Sequence, residues 1–223
     1  MKLLTFYSDS HERMYNDYFL KSFNQHLSNS FELIPKKIEQ ISKSGDYGSD
    51  GFSHTMVEKI NHIIDNIDTN DSEPLVFSDC DVQFFNDFSN EVIVELEDKD
   101  IKFQSDITCL CAGFFFSKQN TTTLNFFKDV KKLLLTVVDK KVDDQQVINH
   151  IIKQYPINWG TLSNKYYTVA MSTGPRQWNG EDFNLTFDIN AHHANWTLGL
   201  DNKYKLMDQV KKKVKQNANQ EVQ

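Results

Sequence analysis

The segment Leu75-Val76-Phe77 constrains this chain more than any other. It is uniformly apolar, hemmed in by the polar stretch 68–74 and by Ser78-Asp79-Cys80-Asp81, and too short for a helix. Such a run is a strand covered on both faces, as in the middle of a sheet with helices above and below. The covering helices can be read on either side of it. Met14, Tyr15, Tyr18, Phe19, Phe23 and Leu27 fall at helical spacing, as do Phe52, Met56, Ile60, Ile63, Ile64 and Ile67. Further on, Asn120 caps a helix through Leu124, Phe127, Leu134 and Val138, and Asp143 and Asp144 open another with Val147, Ile148, Ile151 and Ile152 as its buried side.

Strands are expected between these helices, at residues 2–7, 31–34, 101–104 and 111–117. Past Pro156 the signals are irregular and β-like, at 166–170, 183–187 and 189–192, before a last helix from about Asn202. The alternation predicts an α/β fold: a mixed sheet with a mostly parallel core, flanked by helices. Nothing resembling a linker divides it, so one domain over residues 1–210 is expected, with a polar tail over 211–223. The Gly-containing loop 45–51 is a candidate lid.

Lys and Arg number 24 and Asp and Glu 31, a net charge of −7, which argues against a nucleic-acid-binding surface. An anionic ligand would need a local cation or oriented backbone amides. The first residues lack the apolar core of a signal peptide, and no run of about 18 apolar residues appears. The expectation is an intracellular, cytoplasmic protein without an integral membrane segment. The cysteines Cys80, Cys109 and Cys111 lack the spacing of a zinc site and are expected to be small buried hydrophobes.

The buried strand delivers Asp79 and Asp81 at its carboxyl end, the edge where ligands gather in open α/β sheets. Side chains two apart on an extended chain point the same way, so the two carboxylates converge, and a divalent cation between them relieves their repulsion. Far along the chain lie His192-His193, then Gly199 and Lys203. Vicinal histidines on an extended segment face opposite ways, so one of the two is expected to join the acid pair, and an imidazole there suits manganese.

With these residues in hand, the chain resembles the GT-A fold nucleotide-diphospho-sugar transferases, in particular the plant-type xylosyl-, galactosyl- and arabinosyltransferase-like group. Four blocks carry the resemblance in the family's order: Ser78-Asp79-Cys80-Asp81 as its DxD motif, Cys111-Ala112-Gly113 through Ser117 as the strand lining the sugar pocket, Asp144-Gln145 with Asn149, and His193-Ala194-Asn195-Trp196 with Gly199 and Lys203. It implies that Asp79, Asp81 and His193 hold Mn2+ or Mg2+ bridging the donor diphosphate, with His192 left as the rival ligand. Asp79 would also lie near the ribose and Lys203 would touch the phosphates. Thr5, Tyr7 and Ser8 would cradle the base, with Lys59 assisting, and Gly113 would line the sugar pocket. Asp144 would face the anomeric carbon, as a base or as an electrostatic stabiliser, and Gln145 would bond a sugar hydroxyl. The implied activity is sugar transfer from a UDP-sugar to a glycan, glycolipid or protein hydroxyl, with retention favoured over inversion. At 223 residues the chain is short, and no added acceptor domain or membrane anchor is expected within it.

Two other readings fit part of the pattern. A strand ending in Asp-x-Asp-Val also describes haloacid-dehalogenase-like phosphatases, with Asp79 as nucleophile and Asp81 as acid/base. The other is a non-catalytic sugar-nucleotide or glycan-binding module. The histidine beside the paired aspartates argues against it, since a binder needs no Lewis acid on the phosphate.

Overall fold

The structure is a computed structural model and describes residues 1–42, 45, 48–185 and 188–220. The chain opens with strand β1 (Lys2–Tyr7), whose central four residues are buried on both faces. A helical run follows, α1 (Glu12–Met14) and α2 (Lys21–His26), joined by a π-helical stretch over Tyr15–Leu20. Next come β2 (Glu32–Lys37), α3 (Phe52–Asn66), β3 (Leu75–Ser78), β4 (Val82–Phe84) and α4 (Ser89–Glu95). The middle is β5 (Ile101–Ser105), β6 (Leu110–Ser117), α5 (Thr121–Val137) and α6 (Asp144–Ile151). The chain continues with β7 (Trp159–Thr161), β8 (Tyr166–Thr168), α7 (Ala170–Thr173), β9 (Ala191–His193) and α8 (Leu200–Gln220).

Six strands form the main sheet in the order β2-β1-β3-β6-β5-β7. The all-apolar β3 sits in its middle, pairing parallel with β1 and antiparallel with β6. Five strands run one way and β6 alone runs against them. The reason is local: residues 106–109 are all that join β5 to β6, enough for a hairpin and too few for a crossover. Pro35 lies in β2 at the sheet's edge, where a missing N–H breaks no ladder. One face of the sheet packs against α3, α5 and α6 around Phe77, Phe115 and Phe127. The other packs on the first helical run and α4 around Phe19, Phe88 and Phe114.

A second sheet, β4-β9-β8, stands beside the first. Residues 79–81 are the step between the two, so the acid pair sits where the chain leaves one sheet for the other. A third apolar cluster, with Trp178, Leu206 and Val210, packs α8 against this smaller sheet.

Several expectations need correction. The β-like stretch 166–170 turns helical at Ala170, and no strand covers 183–185, while positions 186 and 187 lie outside the described residues. The final helix starts at Leu200 and runs to Gln220, so of the expected tail 211–220 is helical, and 221–223 lie outside the described residues. Lys213 pins the helix, pairing with Asp182 at 2.7 Å and lying over the Phe183 ring. Strands β4 and β7 and helix α4 were not anticipated, being too short to show a period. Of the candidate lid, positions 46 and 47 lie outside the described residues. Among the described residues no helix is long and apolar enough to cross a membrane.

Candidate active site

A cavity of about 380 Å³ opens at the carboxyl ends of β1 and β3. Tyr7 and Ser8 line it from β1, and the Tyr7 ring stacks on Tyr15 with centroids 4.1 Å apart. Thr5, expected with them, is fully buried inside the sheet and does not line the cavity, because β1 is covered on both faces at that point.

The aspartates reach the cavity from the step between the sheets. The Asp79 backbone N–H still bonds Gly113 O of β6 at 2.7 Å, and Ala194 N bonds Asp81 O at 2.9 Å. The first contact holds Asp79 to the large sheet, and the second draws the end of β9, with His193, up to Asp81. Oxygens of Asp79 and Asp81 and an imidazole nitrogen of His193 all lie within 4.8 Å of one another. His193 Nε2 is 3.1 Å from Asp81 Oδ1, and Lys203 of α8 pairs with Asp81 Oδ2. Strand alternation turns His192 to the opposite side of β9, where it is fully buried outside the cavity lining.

Gly113 is what lets these groups meet. A Cβ there would stand 2.4 Å from His193 Cε1 and 2.6 Å from Asp79 Oδ2, closer than real Cβ atoms come to anything. The family resemblance implies a place for Gly113 in the sugar pocket; the residue lines the cavity. Its tightest constraint is the passage of two side chains over a strand with no room for a methyl.

The other flank is held by Lys59, which is 2% exposed. Its ammonium is 3.2 Å from Asp79 Oδ1 and 2.9 Å from Asp144 Oδ2, so a single buried cation serves two carboxylates. Helix capping falls to Asp143, whose carboxylate accepts from Gln146 N at 2.6 Å, which leaves Asp144 free to face the cavity. Gln145 is engaged at both ends: Oε1 accepts from Ala112 N at 3.1 Å and Nε2 donates to Asp106 Oδ2 at 3.0 Å.

The electrostatics separate the two aspartates. Burial pushes the Asp79 pKa up to about 6, with Lys59 pulling it down and Asp81 pushing it further up. Asp81 is held well below the usual carboxylate range although burial opposes this, because Lys203 and His193 outweigh it. His193 is held well above its ordinary value, again against burial, by Asp81. Asp79 Oδ1 is buried and has no hydrogen-bond partner, only the ion pair to Lys59. Two carboxylates and an imidazole, one oxygen short of a hydrogen bond, are a donor set that fits a divalent ion of the manganese or magnesium kind.

Two residues of this site went unnoticed in the sequence. Asp106, at the end of β5, accepts from Asn195 Nδ2 at 2.8 Å, from Trp196 Nε1 and from Gln145. It thereby holds Trp196 in the left-handed region (φ 56°) at the cavity wall. Gln104 sits behind His193, 2.9 Å from Nδ1. The sequence offers no local signal for either: Ile101-Lys102-Phe103-Gln104 alternates as a strand with one polar face does, so Gln104 passes for a surface residue. Of the three tryptophans only Trp196 lines the cavity, while Trp178 belongs to the third core and Trp159 packs against the first. Cys80 and Cys111 are buried as expected, whereas Cys109 is only partly so and accepts from Gln145 Nε2 at 3.5 Å.

Comparison with known proteins agrees with this geometry. The family model described as nucleotide-diphospho-sugar transferase matches residues 17–207. No curated protein sequence matches the chain. Among solved structures, it is similar to a glycosyltransferase involved in the glycosylation of the major capsid of PBCV-1, at 12% identity over 93% of this chain and 98% of that one, with a TM-score of 0.64. It is similar also to the galactosyltransferase LgtC, solved with donor and acceptor sugar analogs, at 8% identity over 86% of each chain and a TM-score of 0.59. The glycosyltransferase GlyE of Streptococcus pneumoniae TIGR4 matches at 13% identity over 74% of this chain and 45% of that one, with a TM-score of 0.51. At these identities the structural likeness speaks for the fold, and the family match carries the assignment. The chain belongs to the nucleotide-diphospho-sugar transferase family and has the GT-A fold.

Proposed function

We propose that this transferase moves a sugar from a UDP-sugar to a hydroxyl acceptor with retention at the anomeric carbon, using a divalent ion held by Asp79, Asp81 and His193. The observation that carries the reading is the meeting of these three side chains, from two separate strand ends, at one cavity wall beside Lys203. When bound there, the ion supplies Lewis acidity to the leaving diphosphate. Lys203, paired with Asp81 at the cavity wall, would add a positive charge for the phosphates. Tyr7 and Ser8 form the wall suited to the base.

Asp144 lines the cavity beside the acid pair, and Lys59 ties its orientation to that of Asp79. With Asp79 given to the ion, Asp144 is the carboxylate left to face the positive charge that develops as the sugar–phosphate bond lengthens. This supports an electrostatic role for Asp144 and, with the family resemblance, retention. Gln145 acts as a strut, since its amide joins α6 to β6 and to Asp106. The phosphatase reading of the acid pair gives way, because the family match covers both aspartates and the histidine. A glycan, glycolipid or protein hydroxyl remains the proposed acceptor class.

A thermal-shift screen of sugar nucleotides with and without Mn2+ tests the reading. A donor at about 100 times its dissociation constant adds about 2.7 kcal/mol of stability. The expected result is a raised melting temperature with a UDP-sugar only when Mn2+ is present. An equal shift in EDTA would overturn the ion's role.

A further inference from the structure

Gln104 is 1% exposed and sits where the register of β5 against β6 shifts, between Phe103 and Gln104. Both residues are buried, because the irregularity turns Gln104 off the strand's simple alternation and toward the small sheet. Its Nε2 donates to Tyr166 O at 3.1 Å and to Tyr167 O at 3.2 Å. Two carbonyls can be served only by the amide NH2, and this assigns the orientation of the carboxamide. Oε1 is thereby left against the His193 ring, 2.9 Å from Nδ1. An amide oxygen only accepts, so Nδ1 carries a hydrogen and Nε2 is the nitrogen presented to Asp81, 3.1 Å away. Cys111 Sγ also lies 3.5 Å from Nδ1, but a thiol can donate or accept and selects no tautomer.

We propose that Gln104 is the positioning residue of the ion site: by accepting from Nδ1 it reserves the Nε2 lone pair of His193 for the cation held with Asp79 and Asp81. This rests on the divalent-ion reading above. Gln104 touches neither the ion nor the donor in this scheme and acts only through the imidazole. Its anchors on β8, the strand paired with β9, tie the ring's orientation to the sheet that carries it. Groups behind a metal-bound histidine fix tautomer and ring angle, and losing one costs about 10- to 100-fold in metal affinity.

The test titrates the full chain with Mn2+ alone, reading the free ion by electron paramagnetic resonance, with no nucleotide present. Gln104→Leu is expected to bind Mn2+ about 10- to 100-fold more weakly. Gln104→Glu keeps an acceptor for Nδ1 but loses both donors to the β8 carbonyls, and is expected to bind Mn2+ between the unchanged chain and the leucine variant. A second measurement needs no variant: 15N resonances of His193 in the unchanged chain, saturated with Mg2+, are expected to show Nδ1 protonated and Nε2 bare. The opposite tautomer overturns the proposal, as does a folded Gln104→Leu that binds Mn2+ as tightly as the unchanged chain. Should the leucine variant not fold, the tautomer decides alone. An unchanged chain that binds no Mn2+ sinks the ion reading itself, and the role of Gln104 with it, whereas tight binding indifferent to Gln104 sinks only the latter.

Discussion

Strand β9 carries adjacent histidines with opposite surroundings. His193 faces the cavity and touches Asp81, Gln104 and Cys111. His192 faces the other way, is fully buried, and neither of its nitrogens has a hydrogen-bond partner. Its ring centroid lies 5.8 Å from that of Tyr167, and Gln83, opposite it in register on β4, also keeps Oε1 unpartnered. Burial is equal on the two faces, so burial does not make an imidazole functional. The difference lies in charged and oriented neighbours. Asp81 holds His193 protonation well above its ordinary value, whereas burial, helped by the charge of His193, pulls His192 down to about 3.

The comparison breaks most visibly at the acid pair. Asp81→Ala removes the partner of both His193 and Lys203 and is expected to lower transfer by about 10²-fold or more, as for loss of one group that stabilises charge in the transition state. Initial rates with a UDP-sugar and Mn2+ check this. Gly113→Ala adds a methyl where His193 and Asp79 pass, and a displacement of about 1 Å costs up to about 10²-fold in rate. Weaker Mn2+ binding should accompany that loss, and normal binding with normal rate would show that the neighbours yield.

Lys203 sharpens the comparison in the other direction. Its ammonium pairs with Asp81 Oδ2 and would compete with a bound cation for the charge of that carboxylate. Lys203→Gln is therefore expected to tighten Mn2+ binding in the absence of nucleotide while weakening binding of a nucleoside diphosphate. Calorimetry on both ligands separates this from a lysine that touches phosphate alone, whose loss leaves Mn2+ binding unchanged.

The smallest effect belongs to the other face. His192→Phe removes two unpartnered buried nitrogens and is expected to leave transfer unchanged and raise stability by about 1 kcal/mol. It should also flatten the acid side of the stability curve. Above pH 6.5 the imidazole is neutral in both states; between 6.5 and about 3 the unfolded chain takes a proton that the folded one refuses, so stability falls with pH across that window. Urea titrations at several pH values read this slope, and an unchanged slope would mean that His192 finds a partner in solution.

Much of this was legible beforehand because it rests on local chemistry. The period of Met56, Ile60 and Ile63 announced α3, and the apolar run before Ser78 announced a central strand. The alternation of an extended chain required that only one of two adjacent histidines reach the acid pair. Asp143 and Asp144 could be read as opening a helix, but not which of them caps it. Gln104 and Asp106 escaped because their side-chain partners, apart from Cys109 and Gln145, lie 62 to 90 residues further on, and no local pattern encodes such a distance.

The sequence by itself determined the elements, the central place of β3 and the acidic pair at its end, since these follow from side-chain spacing and apolar content over a few residues. Only the tertiary structure decided that His193 and not His192 turns inward, that Lys59 spans Asp79 and Asp144, and that Gln104 backs the imidazole. Those outcomes depend on the register between β4 and β9 and on the irregularity in β5. Register is set by the packing of whole sheets, and a shift of one residue exchanges the two faces of a strand.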